Sequence, residues 1–165
     1  MKTLLVVFHS MTGGARQMAS AAARAAAEAE PQGVRVRLLH APDAGPADVL
    51  SADGYAFATP ENLAAVSGLM KDFFDRTYYP ALGRIEGRPY AALVCAGSDG
   101  RNAARQIERI CTGWRLRAVA DPLIVCTHAQ TPEAILAPKA LGPGDLARCE
   151  ELGATLAAGM AMGIF

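Results

Sequence analysis

The sequence predicts an α/β fold in which helices cover both faces of a five-stranded parallel sheet. Short apolar segments alternate with longer segments that have helical spacing, and glycine or proline separates many of them. Five such strand-then-helix units in 165 residues imply a doubly wound sheet, because crossovers are right-handed and connections are short. We expect the strand order 2-1-3-4-5 and a single domain over residues 1–165.

The predicted strands differ in how deeply they should be buried. The first is an unbroken apolar run, which is typical of a strand covered on both faces, whereas the second alternates apolar and basic residues and fits a position nearer the sheet edge. Pro122 cannot donate to a ladder, so we expect a bend or bulge in the fifth strand. The predicted strands are residues 3–8, 34–39, 55–58, 90–95 and a fifth within 118–126.

The predicted helices follow the strands in turn. The first is rich in alanine and stops at Pro31 and Gly33, the second is short, and the third carries apolar residues at core spacing. The last has Pro143 near its first turn, a position that proline favours. The predicted helices are residues 15–30, 43–50, 63–78, 101–111 and 143–162.

Composition narrows the possible partners and compartments. Sixteen basic and sixteen acidic residues cancel, so no net field draws the chain to nucleic acid or to a membrane surface. No apolar stretch approaches the length of a membrane span, and the N-terminal apolar run is too short for a signal peptide. The four cysteines form no metal-ligand pattern, and scattered thiols suggest a reducing compartment. We expect a cytoplasmic protein without a metal site.

The loop after the first strand, here called the first loop, carries the clearest functional pattern. It combines two hydroxyl residues with two glycines where a buried strand enters a helix. Glycine lets backbone N–H groups turn inward, and the helix N-terminus adds partial positive charge, so the loop suits a phosphate group. An ordinary capped helix start is the alternative interpretation. The candidate residues are Ser10, Met11, Thr12, Gly13, Gly14 and Ala15.

Other phosphate-binding and hydrolase motifs are absent. The first loop lacks the GxGxxG spacing of a dinucleotide fingerprint and the Gly-Lys-Ser/Thr ending of a P-loop. No GxSxG nucleophile elbow occurs anywhere in the chain.

Three segments together resemble the flavodoxin superfamily. The first loop is similar to its phosphate-loop pattern Ser/Thr-x-Thr-Gly-x-Thr, although Ala15 replaces the last hydroxyl residue. Residues 59–62 followed by 67–76 resemble the third-strand loop and helix of NAD(P)H-dependent FMN reductases and related flavodoxin-like quinone reductases. Residues 96–100 stand where that family's fourth-strand loop meets the flavin ring.

The resemblance implies a flavodoxin-like fold that binds FMN between these segments. Its phosphate would lie on the first loop, and its ring would lie between the third-strand and fourth-strand loops. The residues implied for the ring are Thr59, Pro60, Glu61, Asn62, Leu63, Gly97, Ser98, Asp99 and Gly100.

Two absences favour a reductase over an electron carrier. Flavodoxin-type carriers typically cover the ring with aromatic side chains and are strongly acidic, but residues 59–68 and 96–105 contain no aromatic residue and the net charge is zero. An uncovered ring leaves space for a nicotinamide to stack. The resemblance therefore implies an enzyme that passes two electrons from NADH or NADPH through FMN to a quinone or another small acceptor, without a catalytic side chain. A flavodoxin-type electron carrier is the main alternative.

Two further alternatives belong to other functional classes. Cys95 and Arg101 match the C-x5-R pattern of cysteine phosphatases and rhodanese-like enzymes, but Asp99 would place negative charge in the anion cradle. A domain that has lost its flavin and serves as an assembly module is the other alternative, and Ala15 is its only support.

Histidines and arginines give weaker indications. His9, His40 and His128 fall at predicted strand ends and could line the pocket, but histidines satisfied within loops are more common. Arginines recur every four residues, at positions 101, 105 and 109. These side chains could contact the phosphates of a nicotinamide dinucleotide, but the pattern is more typical of a solvated helix face.

The aromatic residues suggest that the chain assembles with copies of itself. Four aromatics lie between Phe73 and Tyr79, more than a sheet-facing stripe should bury, and such residues are enriched at interfaces. In reductases resembling this chain, a neighbouring subunit often completes the flavin pocket. We therefore expect a homodimer or homotetramer. Tyr78 and Tyr79 folding back over their own helix is the alternative.

Overall fold

The computed structural model describes residues 1–165 and places a parallel sheet between two layers of helices. The strands are β1 (Lys2–Phe8), β2 (Val34–His40), β3 (Gly54–Asn62), β4 (Ala65–Val66), β5 (Pro89–Ala96), β6 (Arg117–Ala118) and β7 (Leu123–Cys126). The helices are α1 (Gly14–Ala29), α2 (Pro46–Ser51), α3 (Gly68–Ala81), α4 (Arg101–Gly113), α5 (Pro132–Leu136) and α6 (Pro143–Met162), with a 3₁₀ turn at Ala41–Asp43.

The strand order confirms the predicted doubly wound, flavodoxin-like sheet. Strands β2, β1, β3 and β5 are neighbours in that order, and all these pairs are parallel. Strands β6 and β7 both pair with the far edge of β5, so together they form the fifth strand. The interruption between them contains Pro122, as its missing N–H predicts. No helix has both the length and the hydropathy of a membrane-spanning segment.

The sheet separates two apolar cores. In β1, Leu4 and Val6 face the core formed with α1 and α6, whereas Leu5 and Val7 face the core formed with α2, α3 and α4. Successive side chains of a strand point to opposite faces, so a strand buried on both sides must be apolar throughout. This arrangement leaves the carboxyl ends of the strands free to hold a site.

The predicted start of the third helix is wrong. The sequence predicts a helix from residue 63, but β3 continues to Asn62, turns at residues 63–64 and pairs antiparallel with β4. Helix α3 begins only at Gly68, because the Ser67 hydroxyl accepts a hydrogen bond from the N–H of Met70 (3.4 Å) and caps the helix. We call residues 61–66 the hairpin.

Helix α5 was not predicted, although its start carries a local pattern. Thr131 caps it by accepting a hydrogen bond from the N–H of Ala134 (3.2 Å), and Pro132 occupies its first position. The helix has no buried residue, so its sequence lacks the apolar periodicity that reveals longer helices.

The aromatic cluster is buried within the chain, which removes one reason for expecting a homo-oligomer. Phe73 and Phe74 have at most 1% of their surface exposed. Tyr78 stacks on Trp114 at 5.6 Å, and the indole N–H donates to the Tyr78 carbonyl (2.9 Å). Trp114 follows α4, is fully buried, and also packs against Phe74, with ring centroids 5.8 Å apart. Of the four aromatics only Tyr79 is exposed, at 78%.

Candidate functional site

A cavity of about 580 Å³ opens at the carboxyl ends of β1, β3, β5 and β7. This is the edge where doubly wound sheets bind ligands. Its walls include the predicted residues Ser10, Met11, Thr12, Gly14, Ala15, Pro60, Glu61, Asn62, Leu63, Gly97 and Ser98. Four predicted residues do not line it: Gly13, Thr59, Asp99 and Gly100.

The first loop carries unpaired backbone N–H groups in residues that line this cavity. The N–H groups of Met11, Thr12, Gly14 and Ala15 have no acceptor within the chain. Gly13 makes the turn with φ +98°, a conformation that favours glycine, and its own N–H donates to the Ser10 hydroxyl (3.0 Å). The loop leads directly into the N-terminus of α1, so its free donors and the helix dipole act on the same space.

Gly14 is needed for a close approach rather than for its backbone angle. A Cβ at this position would collide with the Cys95 thiol and lie 3.4 Å from the Cys95 Cβ. The first loop therefore rests directly on β5, and a side chain at position 14 would force the loop or Cys95 to shift.

The hairpin forms a second wall and contains two left-handed residues. Leu63 and Ala64 have φ values of +50° and +61°, the conformation of a two-residue hairpin turn that asparagine and glycine usually supply. Each non-glycine residue in this region costs on the order of 1–2 kcal/mol. Side chains of α4 offset the strain: Asn102 donates to the Ala64 carbonyl, and Gln106 accepts from the N–H of Val66 (2.9 Å).

Glu61 lies at the cavity but directs its carboxylate to α4. One oxygen accepts from the N–H of Gly100 (2.9 Å) and the other from the N–H of Ala103 (3.5 Å). The side chain thus caps α4, where negative charge is favourable, and fastens the hairpin to the loop after β5. Gly100 has φ +85° and contributes through this backbone contact rather than through the cavity wall.

The connection after β7 supplies a wall that the sequence did not reveal. The N–H of His128 donates to the Gly97 carbonyl (2.7 Å), and a Cβ on Gly97 would lie only 3.0 Å from the Ala129 carbonyl oxygen. Ala96, from the predicted segment 96–100, also lines the cavity, and the cavity residues absent from the prediction are Ala64, Cys95, Thr127, Ala129, Ile135 and Lys139. The general rule that ligands bind at the carboxyl ends of parallel strands points to this connection but not to particular residues.

Lys139 is the one cationic residue in the cavity wall. Its ammonium group donates to the carbonyls of Ala134 (2.9 Å), Ile135 (2.8 Å) and Ala137 (2.6 Å). These carbonyls end α5, so the lysine neutralises the negative end of that short helix.

No aromatic residue lines the cavity.

The histidines lie outside the cavity wall. His9 is 9% exposed, and its Nδ1 lies 2.7 Å from the Ser67 hydroxyl that caps α3. Burial, together with repulsion from His40, lowers the pKa of His9. Thr59 joins the same network, because its hydroxyl oxygen accepts from the N–H of Ser67 (3.1 Å), and it is fully buried.

The geometry contradicts the cysteine phosphatase alternative. That chemistry needs a thiolate facing an arginine, but burial raises the pKa of Cys95 to about 11. Arg101 turns away, with 84% of its side chain exposed, and donates to Asp99 (2.6 Å).

Comparisons with known proteins agree with this fold. The flavodoxin of Aquifex aeolicus (strain VF5) is 38% identical over 100 residues, which cover 61% of this chain and 53% of that protein. An NAD(P)H dehydrogenase (quinone) of Acidithiobacillus ferrooxidans is 34% identical over 95 residues, which cover 47% of this chain and 48% of that protein. The chain spans about half the length of these relatives.

Two solved structures share the fold at low sequence identity. A flavodoxin from the domain Archaea superposes with a TM-score of 0.77. Its sequence is 20% identical, and the superposition covers 96% of this chain and 98% of that one. A flavodoxin, WrbA-like protein from Agrobacterium tumefaciens superposes with a TM-score of 0.73 at 17% identity, over 98% of this chain and 99% of that one. The family model of the NADPH-dependent FMN reductases matches residues 46–131. The chain belongs to this family of NADPH-dependent FMN reductases.

Proposed function

We propose that the chain binds FMN in the 580 Å³ cavity and passes two electrons from NADH or NADPH to a quinone or another small acceptor. The observation that carries the proposal is the first loop, whose unpaired N–H groups open into a cavity of ligand size. Small-molecule sites typically enclose about 300–1,000 Å³. The family match to FMN reductases supports the same ligand.

The donor set of the first loop fits a phosphate group. The N–H groups of Met11, Thr12, Gly14 and Ala15, before and at the start of α1, have no acceptor in the chain, and the hydroxyl residues Ser10 and Thr12 line the same cavity. Such donors bind a doubly charged anion through charge-assisted hydrogen bonds. Ala15 lacks a hydroxyl, but its N–H remains free, so the backbone retains a donor at that position.

The remaining walls fit a flat ring system. FMN, when bound, supplies a ring that exchanges hydride with nicotinamides. The hairpin would lie along one side of this ring and Gly97–Ser98 along the other, with Glu61 holding the two walls together through α4. Since no aromatic side chain lines the cavity, one ring face stays open for a nicotinamide or an acceptor in turn.

A flavodoxin-type electron carrier is the second candidate, and the identity to a flavodoxin favours it. The absence of an aromatic wall and the balanced charge favour the reductase instead. The two functions differ in what reduces the flavin and in how many electrons leave at once.

Steady-state kinetics on the FMN-loaded protein separates the candidates. We expect NADH or NADPH to be oxidised when benzoquinone is present, at a rate well above that of free FMN at the same concentration. A protein that oxidises neither nicotinamide, and accumulates one-electron-reduced flavin in a redox titration, would instead be a carrier. A protein that binds no FMN would refute both.

A further inference from the structure

Residues 137–141, here called the strap, connect α5 to α6 and separate two cavities. Lys139 lines both the 580 Å³ cavity and a smaller one of about 260 Å³ on the other side. The strap contains no buried residue. Within the strap only Leu141, which is partly buried, packs against the apolar core formed with α1 and α6. The position of the other strap residues therefore depends mainly on hydrogen bonds.

Every hydrogen bond that joins the strap to the chain beyond α5 ends on the first loop or on Gln17. The N–H of Lys139 donates to the Thr12 carbonyl (2.8 Å). The Gln17 amide donates to the Lys139 carbonyl (2.7 Å), and its oxygen accepts from the N–H of Leu141 (3.0 Å). The same Gln17 amide also donates to the Gly13 carbonyl (3.0 Å).

These bonds form a clamp around the most weakly tied part of the first loop. The bond between Thr12 and Lys139 is the one main-chain hydrogen bond made by Met11 or Thr12. Gln17 holds the strap directly after that tether, at the Lys139 carbonyl and at the Leu141 N–H. Without Gln17, the strap would lose two of its three hydrogen bonds to the chain beyond α5. Only the bond between Lys139 and Thr12 would then hold the strap beside the first loop.

We propose that Gln17 is a positioning residue that fastens the strap to the first loop and thereby aims the loop's N–H groups at a phosphate. The inference rests on the proposed FMN site. Gln17 does not line the cavity, so it acts through Gly13, Lys139 and Leu141 rather than on the ligand. Preorganised donors bind a charged group more tightly because less conformational entropy is lost when the group binds.

The test compares FMN with riboflavin, which has the same ring and no phosphate. Gln17→Met keeps the length of the side chain and removes its three hydrogen bonds. Gln130→Met is the matched control, because Gln130 is exposed and makes no hydrogen bond in the chain. We expect Gln17→Met to raise the Kd for FMN about tenfold or more and to change the Kd for riboflavin by less than about threefold. The control should bind both ligands like the wild type.

Equal losses for FMN and riboflavin would overturn the inference, since they would indicate general damage to the cavity. Unchanged FMN binding would overturn it as well. A wild-type protein that binds no FMN would instead refute the proposed function itself. Amide hydrogen exchange of the cofactor-free proteins provides a second readout: we expect faster exchange at Lys139 and Leu141 in Gln17→Met, with the sheet unaffected. Unchanged exchange at both amides would also contradict the clamp.

Discussion

At the scale of single residues, His9 shows how a group near the site can act on stability without touching a ligand. It lies at the end of β1 and contacts the hydroxyl of Ser67, which caps α3. It also stacks on His40, with ring centroids 5.6 Å apart. Both burial and the neighbouring histidine disfavour the protonated ring, so the pKa of His9 in the folded chain lies below its ordinary value of 6.5.

The lowered pKa of His9 predicts a stability that falls in acid. Below pH 6.5 the unfolded chain binds a proton at this position more readily than the folded chain does, so protonation favours unfolding. We expect the unfolding free energy of the wild type to decrease as the pH falls below 6.5, and His9→Asn to lose this part of the pH dependence. His128→Asn is the control, because His128 is exposed and asparagine tolerates its φ of +60°. Parallel pH profiles for wild type and His9→Asn would contradict this assignment.

The sequence predicts the roles of some site residues better than those of others. Glu61 lines the cavity and stays a predicted cofactor-binding residue, but the cap that its carboxylate forms on α4 was not predicted. That role depends on where the N-terminus of a helix forty residues later comes to lie, which local sequence does not specify. The free N–H groups of the first loop were predictable, because glycines at a strand-to-helix junction determine them locally.

At the scale of elements, the contact between α1 and α6 depends on small residues on both helices. Gly153 of α6 lies against the backbone of Ala22 in α1, and a Cβ at Gly153 would be only 2.7 Å from the Ala22 Cα. Backbone atoms cannot move aside as a flexible side chain can. The alanine-rich sequence of α1 therefore permits this close approach.

Gly153→Ala should destabilise the fold although alanine is the better helix former. We expect a loss of about 1–3 kcal/mol from overpacking, larger than the gain of about 1 kcal/mol in helix propensity. Gly144→Ala lies in the same helix with no atom within 4 Å of the new Cβ, so it should be neutral or slightly stabilising. Urea unfolding followed by the fluorescence of buried Trp114 measures both. Equal stability of the two variants would show that the helices are not in tight contact.

The elements that periodicity predicted are those with a buried stripe or a buried strand. The hairpin escaped prediction because Leu63 and Ala64 are not turn residues, and Asn102 and Gln106 of α4 hold the turn from a distance. Helix α5 escaped because it buries nothing. In both cases tertiary contacts or exposure, rather than local pattern, decide the structure.

At the scale of the whole molecule, strand order and cavity position followed from the alternation of strands and helices. Parallel strands with short crossovers bring their carboxyl ends to one edge, so four connections meet there whatever their sequences. The wall after β7 could not be assigned in detail, because it is joined to the first loop and Gln17 by hydrogen bonds between residues more than one hundred positions apart. The homo-oligomer stays a prediction that now rests on the open ring face alone.

A titration of the cofactor-free protein with FMN tests most directly whether the first loop and its cavity bind this ligand. We expect the wild type to bind one FMN per chain, with quenching or a shift of the flavin signal. Gly14→Ala should raise the Kd at least about tenfold, since a Cβ there collides with Cys95 and displaces the N–H groups, whereas Gly144→Ala should bind like the wild type. A wild type that binds no FMN, or a Gly14→Ala variant with unchanged affinity, would contradict FMN binding at this site.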